Sequence, residues 1–350
     1  MSERIKRLID KLEENHTLVK EEWVEIFDNY DDSDREYAAE KARAVAVGVF
    51  GNKVYIRGIV EFSNVCKNDC YYCGIRCSNS NAQRYRLTDE DILSCCDEGY
   101  EYGFRTFVLQ SGEDYKEYPA SRMAEIIKRI KASHPDCAVT LSLGEMEYDD
   151  FKLLKEAGAD RYLLRHETAT REHYEMLHPK VMSFDHRMQC LSQLMELGYQ
   201  VGTGMMIGSP FQTSEYLAND MLFLHDFKPH MIGTGPFLPH KDTPFKDKPK
   251  GSYELTLFVL SLCRLMLPRV LLPATTALGT INPLGRENGV LAGANVIMPN
   301  LSPTAVRKKY MLYDGKICTE DATSECRQCI FARMKRIGYE VEITRGDYKP

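Results

Sequence analysis

The sequence predicts a complete (β/α)8 barrel of the TIM type, in which eight parallel strands form a ring inside a layer of helices. Eight short, apolar and β-prone runs recur along the chain, and helix-like segments separate most of them. Several of the helical segments begin with Ser, Thr or Asp, and two end at Gly158 and Gly198, as capped helices do. Strand–helix alternation repeated eight times is typical of this barrel.

The predicted elements divide the chain in order. The eight predicted strands lie at residues 54–63, 105–111, 138–144, 161–168, 200–208, 231–239, 271–279 and 294–300. No Pro- or Ser-rich linker interrupts them. We therefore expect a helical N-terminal segment over 1–50, the barrel over 51–310 and a C-terminal extension over 311–350.

Polar residues on the predicted strands indicate a hollow barrel. An ordinary barrel is filled by Val, Ile and Leu, but Thr140 lies within one strand, and Arg165 and Glu167 share a face of another. Two charges that faced the surrounding helices would be costly without partners. Thr275 and Thr276 are expected to point to opposite faces of the seventh strand. From these polar residues we expect a polar cavity inside the barrel.

Composition excludes several classes of protein. The chain has 350 residues and a formal net charge of −6, with no long basic run, which argues against nucleic-acid binding. The N-terminus lacks the apolar core of a signal peptide, and the most apolar segment is interrupted by Arg264, Pro268 and Arg269. We expect a cytoplasmic protein that has no membrane partner and keeps its thiols reduced.

Four of the 12 cysteines lie in the stretch VEFSNVCKNDCYYCGIRC, directly after the first predicted strand. Cys66, Cys70 and Cys73 have the spacing C-x3-C-x2-C, at the end of the barrel that carries catalytic groups. Reduced thiols argue against disulfides. Structural zinc would need a fourth ligand, for which Cys77 is the candidate. Three thiolates also suit a [4Fe–4S] cluster that keeps one iron open to a small molecule.

The spacing of these cysteines, with Tyr72 directly before the last one, resembles the signature of the radical S-adenosylmethionine (SAM) superfamily. The resemblance implies that Cys66, Cys70 and Cys73 hold the catalytic cluster and that its open iron binds SAM. One electron from the cluster would then cleave SAM to methionine and a 5′-deoxyadenosyl radical, while the barrel orients the reactants.

Eight segments from VEFSNVC to LYDGKIC, over about residues 50–330, resemble the HydE family of [FeFe]-hydrogenase maturases. The resemblance implies that Ser111, Gly112 and Glu113 bind the SAM amino group. It also implies that Glu167 and Arg187 contact SAM, beside Tyr72, and that Arg165 takes part in catalysis. The remaining residues that it assigns to a substrate cavity are Arg57, Gln110, Thr140, Met231, Thr276, Met298, Tyr310 and Tyr313.

A second cysteine group, Cys318, Cys326 and Cys329, has the spacing C-x7-C-x2-C. The same resemblance implies a second iron–sulfur cluster there, outside the barrel and not required for catalysis. A zinc knuckle or unliganded thiols remain alternatives, because three ligands leave a zinc site incomplete. Cys77 departs from the family pattern. The remaining cysteines are expected to be small core residues.

The resemblance implies a role in assembling the diiron subcluster of [FeFe]-hydrogenase. The deoxyadenosyl group would attack a sulfur of a small iron–carbonyl–cyanide–cysteine complex supplied by HydG, and the product would pass to HydF. Reduced ferredoxin or flavodoxin is the expected electron donor, and a monomer the expected state. The alternatives are a 3-methylornithine synthase-like or biotin synthase-like radical SAM enzyme, and a non-catalytic cluster carrier, which would need no nucleoside site.

Overall fold

A ring of strands inside a layer of helices organises the chain, of which the computed structural model describes residues 2–320 and 323–350. The helices are α1 (Ser2–Asn15), α2 (Lys20–Asn29), α3 (Asp32–Phe50), α4 (Asp89–Glu101), α5 (Ala120–Ser133), α6 (Tyr148–Glu156), α7 (Arg171–Leu177), α8 (Phe184–Glu196), α9 (Ser214–Phe227), α10 (Tyr253–Met266), α11 (Thr276–Ile281), α12 (Gly285–Leu291), α13 (Thr304–Arg307) and α14 (Thr323–Arg336). The strands are β1 (Lys53–Ile56), β2 (Gly58–Ser63), β3 (Thr106–Ser111), β4 (Ala138–Ser142), β5 (Arg161–Leu163), β6 (Gln200–Thr203), β7 (Met206–Ile207), β8 (Met231–Ile232), β9 (Gly235–Pro236), β10 (Val296–Ile297) and β11 (Glu340–Glu342).

Six parallel strands form the main sheet in the order β2-β3-β4-β5-β6-β8. Isolated parallel bridges continue it beyond β8, from Met231 to Leu271 and from Pro273 to Val296 on β10. A further bridge joins Ile59 on β2 to Asn300, so the ring returns to its first strand. The predicted α/β barrel architecture is confirmed.

The seventh predicted strand, 271–279, is wrong in its second half. Backbone pairing ends near Pro273, and helix α11 begins at Thr276. The Thr275 hydroxyl accepts a hydrogen bond from the Leu278 amide (3.4 Å) and so caps the helix. A capping threonine favours the helix start over a longer strand, and the expected alternation of Thr275 and Thr276 does not apply.

Alternation on β3 and β4 explains why the barrel is hollow. Phe107 pairs with Val139, and both point outward into the apolar layer beneath the helices. Val108 pairs with Thr140, and both point inward, where they line the cavity. The period of two thus separates an apolar outer face from a partly polar inner face.

The helices cover the ring with apolar faces. Helix α5 buries Met123, Ile126, Ile127 and Ile130, which recur at helical spacing. At the N-terminus α3 packs on α10 and α2 packs on α9, with Trp23 fully buried. Within the described ranges, no helix combines the length and apolarity needed to cross a membrane.

The C-terminal tail, residues 345–348, crosses the N-terminal ends of the barrel strands. Arg161, at the start of β5, is fully buried and donates hydrogen bonds to the Arg345 carbonyl and to Asp347 Oδ1, both at 2.6 Å. Arg57 donates to the Gly346 carbonyl at 3.3 Å. The tail therefore closes the bottom of the barrel and provides a carboxylate for a buried guanidinium.

Replacing Asp347 with Ala should lower the free energy of unfolding by about 2–4 kcal/mol, because Arg161 would keep a buried charge without its carboxylate. The matched control is Asp136→Ala, which breaks the more exposed Arg105–Asp136 pair (2.9 Å) and should cost less than about 1 kcal/mol. Urea denaturation of both variants checks this. Equal losses would show that the tail does not stabilise the barrel.

Candidate active site

The loop that follows β2, residues 64–79 (the cysteine loop), brings three thiols to one cavity. Cys66, Cys70 and Cys73 all line it. Burial and, to a lesser extent, the nearby Cys66 charge raise the pKa of Cys73 to about 12. Three partly buried thiolates this close together therefore require a cationic group between them.

The cysteine loop is fixed by Arg84, which the sequence analysis did not single out. Its guanidinium donates to the Asn64 carbonyl (2.6 Å), the Ile75 carbonyl (2.8 Å) and the Arg76 carbonyl (2.5 Å). Arg84 thus ties the beginning of the loop to its end. Five donors on a rigid plane allow one arginine to do this.

The backbone after β3 packs tightly on the cysteine loop. A Cβ atom at Gly112 would lie 2.3 Å from the Val65 carbonyl oxygen and 2.7 Å from Cys66 Cβ, so only glycine fits. The next amide, that of Glu113, donates to Cys66 Sγ at 3.4 Å. N–H donors aimed at sulfur stabilise the thiolate form of a cluster ligand.

These observations fit a multi-iron cluster. Tetrahedral zinc needs four ligands around one ion, whereas Cys77 is exposed and not part of the cavity lining. Within residues 2–320 and 323–350, no three His, Cys, Asp or Glu side chains are arranged to hold a single metal ion. Three partly buried thiols on one loop, with an N–H···S contact, instead suit a [4Fe–4S] cluster in which one iron has no protein ligand.

Paired charges surround the mouth of the cavity. Arg165 Nε lies 3.1 Å from Glu167 Oε1, and these two side chains form an ion pair. Burial opposes ionisation of Glu167, but the Arg165 charge and its hydrogen bonds outweigh burial and lower the pKa of Glu167. These two residues therefore satisfy one another, and their charges alone do not require a ligand.

Arg187 has a carboxylate partner that the sequence analysis missed. Its Nε donates to Glu145 Oε1 at 2.5 Å, and its Nη1 donates to the Arg165 carbonyl at 2.6 Å. The Glu145 amide donates to Glu113 Oε1 at 3.1 Å. Glu145 follows β4 in the string SLGE, so a carboxylate directly after a strand was the available signal.

At the inner end of the cavity, two buried polar side chains keep atoms without a hydrogen-bond partner and have no ion-pair partner in the described residues. Arg57 donates to Met231 Sδ at 2.9 Å, and its Nε has no hydrogen-bond partner in the described part of the chain. The buried Thr140 hydroxyl also has none there. Burial lowers the pKa of Arg57, and the Arg161 charge lowers it further. A polar or anionic ligand would satisfy these groups.

All residues predicted for the catalytic, SAM-binding and cavity roles line this one cavity of about 400 Å³. They are Arg57, Cys66, Cys70, Tyr72, Cys73, Gln110, Ser111, Gly112, Glu113, Thr140, Arg165, Glu167, Arg187, Met231, Thr276, Met298, Tyr310 and Tyr313. Thr275 and Thr276 both reach it from the start of α11. The position of each residue is thereby given, while its individual role stays a prediction.

One buried ion pair in the lining was not predicted. Lys316 Nζ lies 2.5 Å from Glu61 Oε1, and Asn300 donates to Glu61 Oε2 at 2.8 Å. Lys316 comes from the C-terminal extension and Glu61 from β2. The extension therefore contributes to the wall of the cavity, in addition to Tyr310 and Tyr313.

The second cysteine group lies outside this cavity. Cys326 is buried on α14. A hydrogen bond with the Cys318 thiol and, to a lesser extent, burial raise the pKa of Cys326. Cys329 lies three residues further along α14 and is exposed. Two of the three thiols are thus in contact, and the second cluster stays a prediction.

Comparison with known proteins identifies the family. The model of the radical SAM superfamily matches residues 60–224. The [FeFe] hydrogenase maturase subunit HydE of Thermotoga maritima is 48% identical over 290 residues, which cover 82% of each chain. The chain belongs to the HydE family of radical SAM enzymes. Members of this superfamily use a [4Fe–4S] cluster and SAM, as the cysteine loop requires.

Other relatives of this HydE-family chain share its fold. The 3-methylornithine synthase of Methanosarcina barkeri is 32% identical over 82% of this chain and 80% of that protein. The crystal structure of methylornithine synthase (PylB) superposes with a TM-score of 0.83 at 27% identity, covering 96% of this chain and 97% of that one. The crystal structure of HydG, a maturase of the [FeFe]-hydrogenase, superposes with a TM-score of 0.81 at 21% identity, covering 98% of this chain and 77% of that one. This is a likeness of fold alone.

The contact at Gly112 makes a direct prediction. Gly112→Ala would push the added Cβ into Val65 and Cys66, displace the cysteine loop and reduce iron bound after anaerobic reconstitution to less than about half of the wild-type amount. The control is Gly48→Ala, since a Cβ there meets nothing within 4 Å and Ala favours the interior of α3. Wild-type iron content in Gly112→Ala would refute the tight contact.

Proposed function

We propose that this enzyme cleaves SAM in the barrel cavity during assembly of the diiron subcluster of [FeFe]-hydrogenase, and that it acts on a small organometallic iron complex. The observation that carries the proposal is the arrangement of one cavity with two different ends. Its mouth holds three thiols and paired charges, and its inner end holds Arg57 and Thr140, each with one polar atom that has no hydrogen-bond partner among the described residues.

The mouth of the cavity would hold the cluster and SAM. The bound cluster supplies the electron that cleaves the carbon–sulfur bond of SAM. Backbone groups of residues 111–113 would bind the amino group, and Arg187 would offer the carboxylate the N–H donors that Glu145 and the Arg165 carbonyl leave free. Tyr72 packs beside them as an aromatic wall. Exclusion of water by the apolar lining protects the deoxyadenosyl group until it meets the substrate.

The inner end would select the substrate. Arg57 is buried, has no carboxylate within salt-bridge distance in the described residues, and is best satisfied by an anion. Cyanide nitrogens can accept hydrogen bonds from Arg57 and Thr140, while carbonyl ligands pack against Met231 and Met298. An iron–carbonyl–cyanide–cysteine complex combines these properties. The deoxyadenosyl radical would form a carbon–sulfur bond with the thiolate of this complex, the surplus electron would pass to the iron of the complex, and Arg165 would lie close to the reacting atoms.

The proposal extends to partners by family relationship. HydG would supply the iron complex, HydF would receive the product, and reduced ferredoxin or flavodoxin would reduce the cluster. Cys318, Cys326 and Cys329 would hold a second cluster that is dispensable for SAM cleavage. The enzyme would act as a monomer in the cytoplasm, where an open cluster survives in reducing conditions.

A second candidate function is that of a 3-methylornithine synthase, which the 32% identity to the Methanosarcina barkeri protein favours. The two functions differ in substrate: a free amino acid such as lysine for the mutase, and the iron complex for the maturase. Arg57 favours the anionic iron complex, since lysine would bring two ammonium groups along with its one carboxylate next to that guanidinium.

The expected result is that the iron complex made by HydG stimulates release of 5′-deoxyadenosine with consumption of the complex, whereas free lysine, ornithine or dethiobiotin does not. Anaerobic turnover with dithionite, quantified by chromatography, measures this. A stoichiometric response to a free amino acid, with none to the iron complex, would leave the radical SAM assignment and remove the maturase function.

Two cysteine variants control this assay. Cys73→Ala removes a thiol of the cavity and should abolish 5′-deoxyadenosine release. Cys77→Ala changes an exposed thiol of the same loop and should keep it near the wild-type rate. Unchanged release by Cys73→Ala would mean that the cluster is bound elsewhere.

A further inference from the structure

Glu167 has an unusual backbone conformation. Its φ is +65°, in the left-handed region, where the Cβ of any residue other than glycine is disfavoured. Its side chain lines the cavity and pairs with Arg165. Unfavourable conformations of this kind persist only where surrounding contacts enforce them, and they concentrate at functional sites.

One side chain outside the barrel contacts both flanks of Glu167. Asp220 lies on α9 and is fully buried. Its Oδ1 accepts a hydrogen bond from the Ala169 amide at 2.5 Å, two residues after Glu167. The same oxygen lies 3.4 Å from Nε2 of His166, the residue directly before Glu167. A single carboxylate therefore ties the 166–169 segment to α9.

Strand β6 and Gly204, which follows it, also hold the 166–169 segment. Thr203 Oγ1 lies 2.9 Å from His166 Nδ1 and also accepts the His166 backbone N–H at 3.2 Å. The Glu167 amide donates to the Gly204 carbonyl at 3.0 Å. The His166 imidazole is thus hydrogen-bonded to Thr203 through Nδ1, while its Nε2 lies against Asp220 without a hydrogen bond in the described residues, and all three side chains are buried.

We propose that Asp220 and His166 are positioning residues for Glu167: they hold its left-handed backbone from behind the barrel wall and so aim its carboxylate into the SAM site. The inference rests on the proposed function, in which Glu167 contacts SAM. Neither Asp220 nor His166 is part of the cavity lining. Their effect on SAM must therefore pass through the 166–169 segment.

The test is the dissociation constant of SAM, measured by equilibrium dialysis. The protein used is the reconstituted holoenzyme, whose cluster has been reduced and then reoxidised. Asp220→Ala should weaken SAM binding about tenfold, because a ligating group displaced by a fraction of an ångström loses most of its hydrogen-bond energy. Asp220→Asn keeps an acceptor for the Ala169 amide and should lose only about threefold. The Asp220→Asn variant also provides the test if Asp220→Ala does not fold.

The control for general destabilisation is Tyr199→Phe, which removes a buried hydrogen bond (2.6 Å, to the Phe151 carbonyl) beside β6 and away from Glu167. It should lower the melting temperature and leave SAM binding unchanged. If neither Asp220 variant weakens SAM binding more than Tyr199→Phe does, the positioning role is refuted.

A double-mutant cycle distinguishes positioning from a diffuse effect. In a Glu167→Ala background, Asp220→Ala should cause no further loss of SAM affinity, because the group that it positions is gone. The same tenfold loss in both backgrounds would overturn the proposal. Absence of SAM binding by the wild-type holoenzyme would instead refute the proposed function, and with it this inference.

Discussion

The pairing of β2 with β3 is the constraint on which the site depends. Their register places Ser63 opposite Ser111, and the Gly112 amide donates to the Ser63 carbonyl at 3.0 Å. Because the two strands are parallel and adjacent, the cysteine loop and residues 111–113 leave the sheet side by side. The missing side chain of Gly112 then lets the two backbones touch. Cys66, a predicted cluster ligand, and the Glu113 amide that donates to its sulfur meet as a consequence of sheet register.

The mouth and the inner end of the cavity differ in how their charges are paired. At the mouth, Arg165 pairs with Glu167 and Arg187 pairs with Glu145, so charges are balanced before any ligand arrives. Side chains in balanced pairs hold fixed positions and need little reorganisation when a ligand binds. Arg57 alone among the guanidiniums that line the described cavity lacks such a partner. We therefore propose that discrimination between substrates falls on the inner end.

Much of the fold followed from strong local signals in the sequence, whereas the residues of the cavity followed from the resemblance to the HydE family. The alternation of apolar runs with capped helices predicted the ring of strands, and the spacing of Cys66, Cys70 and Cys73 predicted the chemistry of their loop. The error at 271–279 has a local cause, since a threonine that can extend a strand can also cap a helix. Here Thr275 does the latter.

What the sequence could not provide are contacts between distant segments. Glu61 and Lys316 are 255 residues apart, and Arg161 meets Asp347 across 186. No periodicity or motif encodes which buried charge meets which. The same holds for Asp220 behind Glu167, and for Arg84, whose role depends on the path of the whole cysteine loop.

We propose that SAM binds the open iron of a cluster held by the three thiols of this cavity. Pulsed electron paramagnetic resonance of the reduced cluster, with SAM carrying a ¹⁷O-labelled carboxylate or a ¹⁵N-labelled amino group, tests it most directly. We expect hyperfine coupling from both labels, since both groups would be ligands of one iron. A cluster signal that is present but uncoupled to either label would contradict the account.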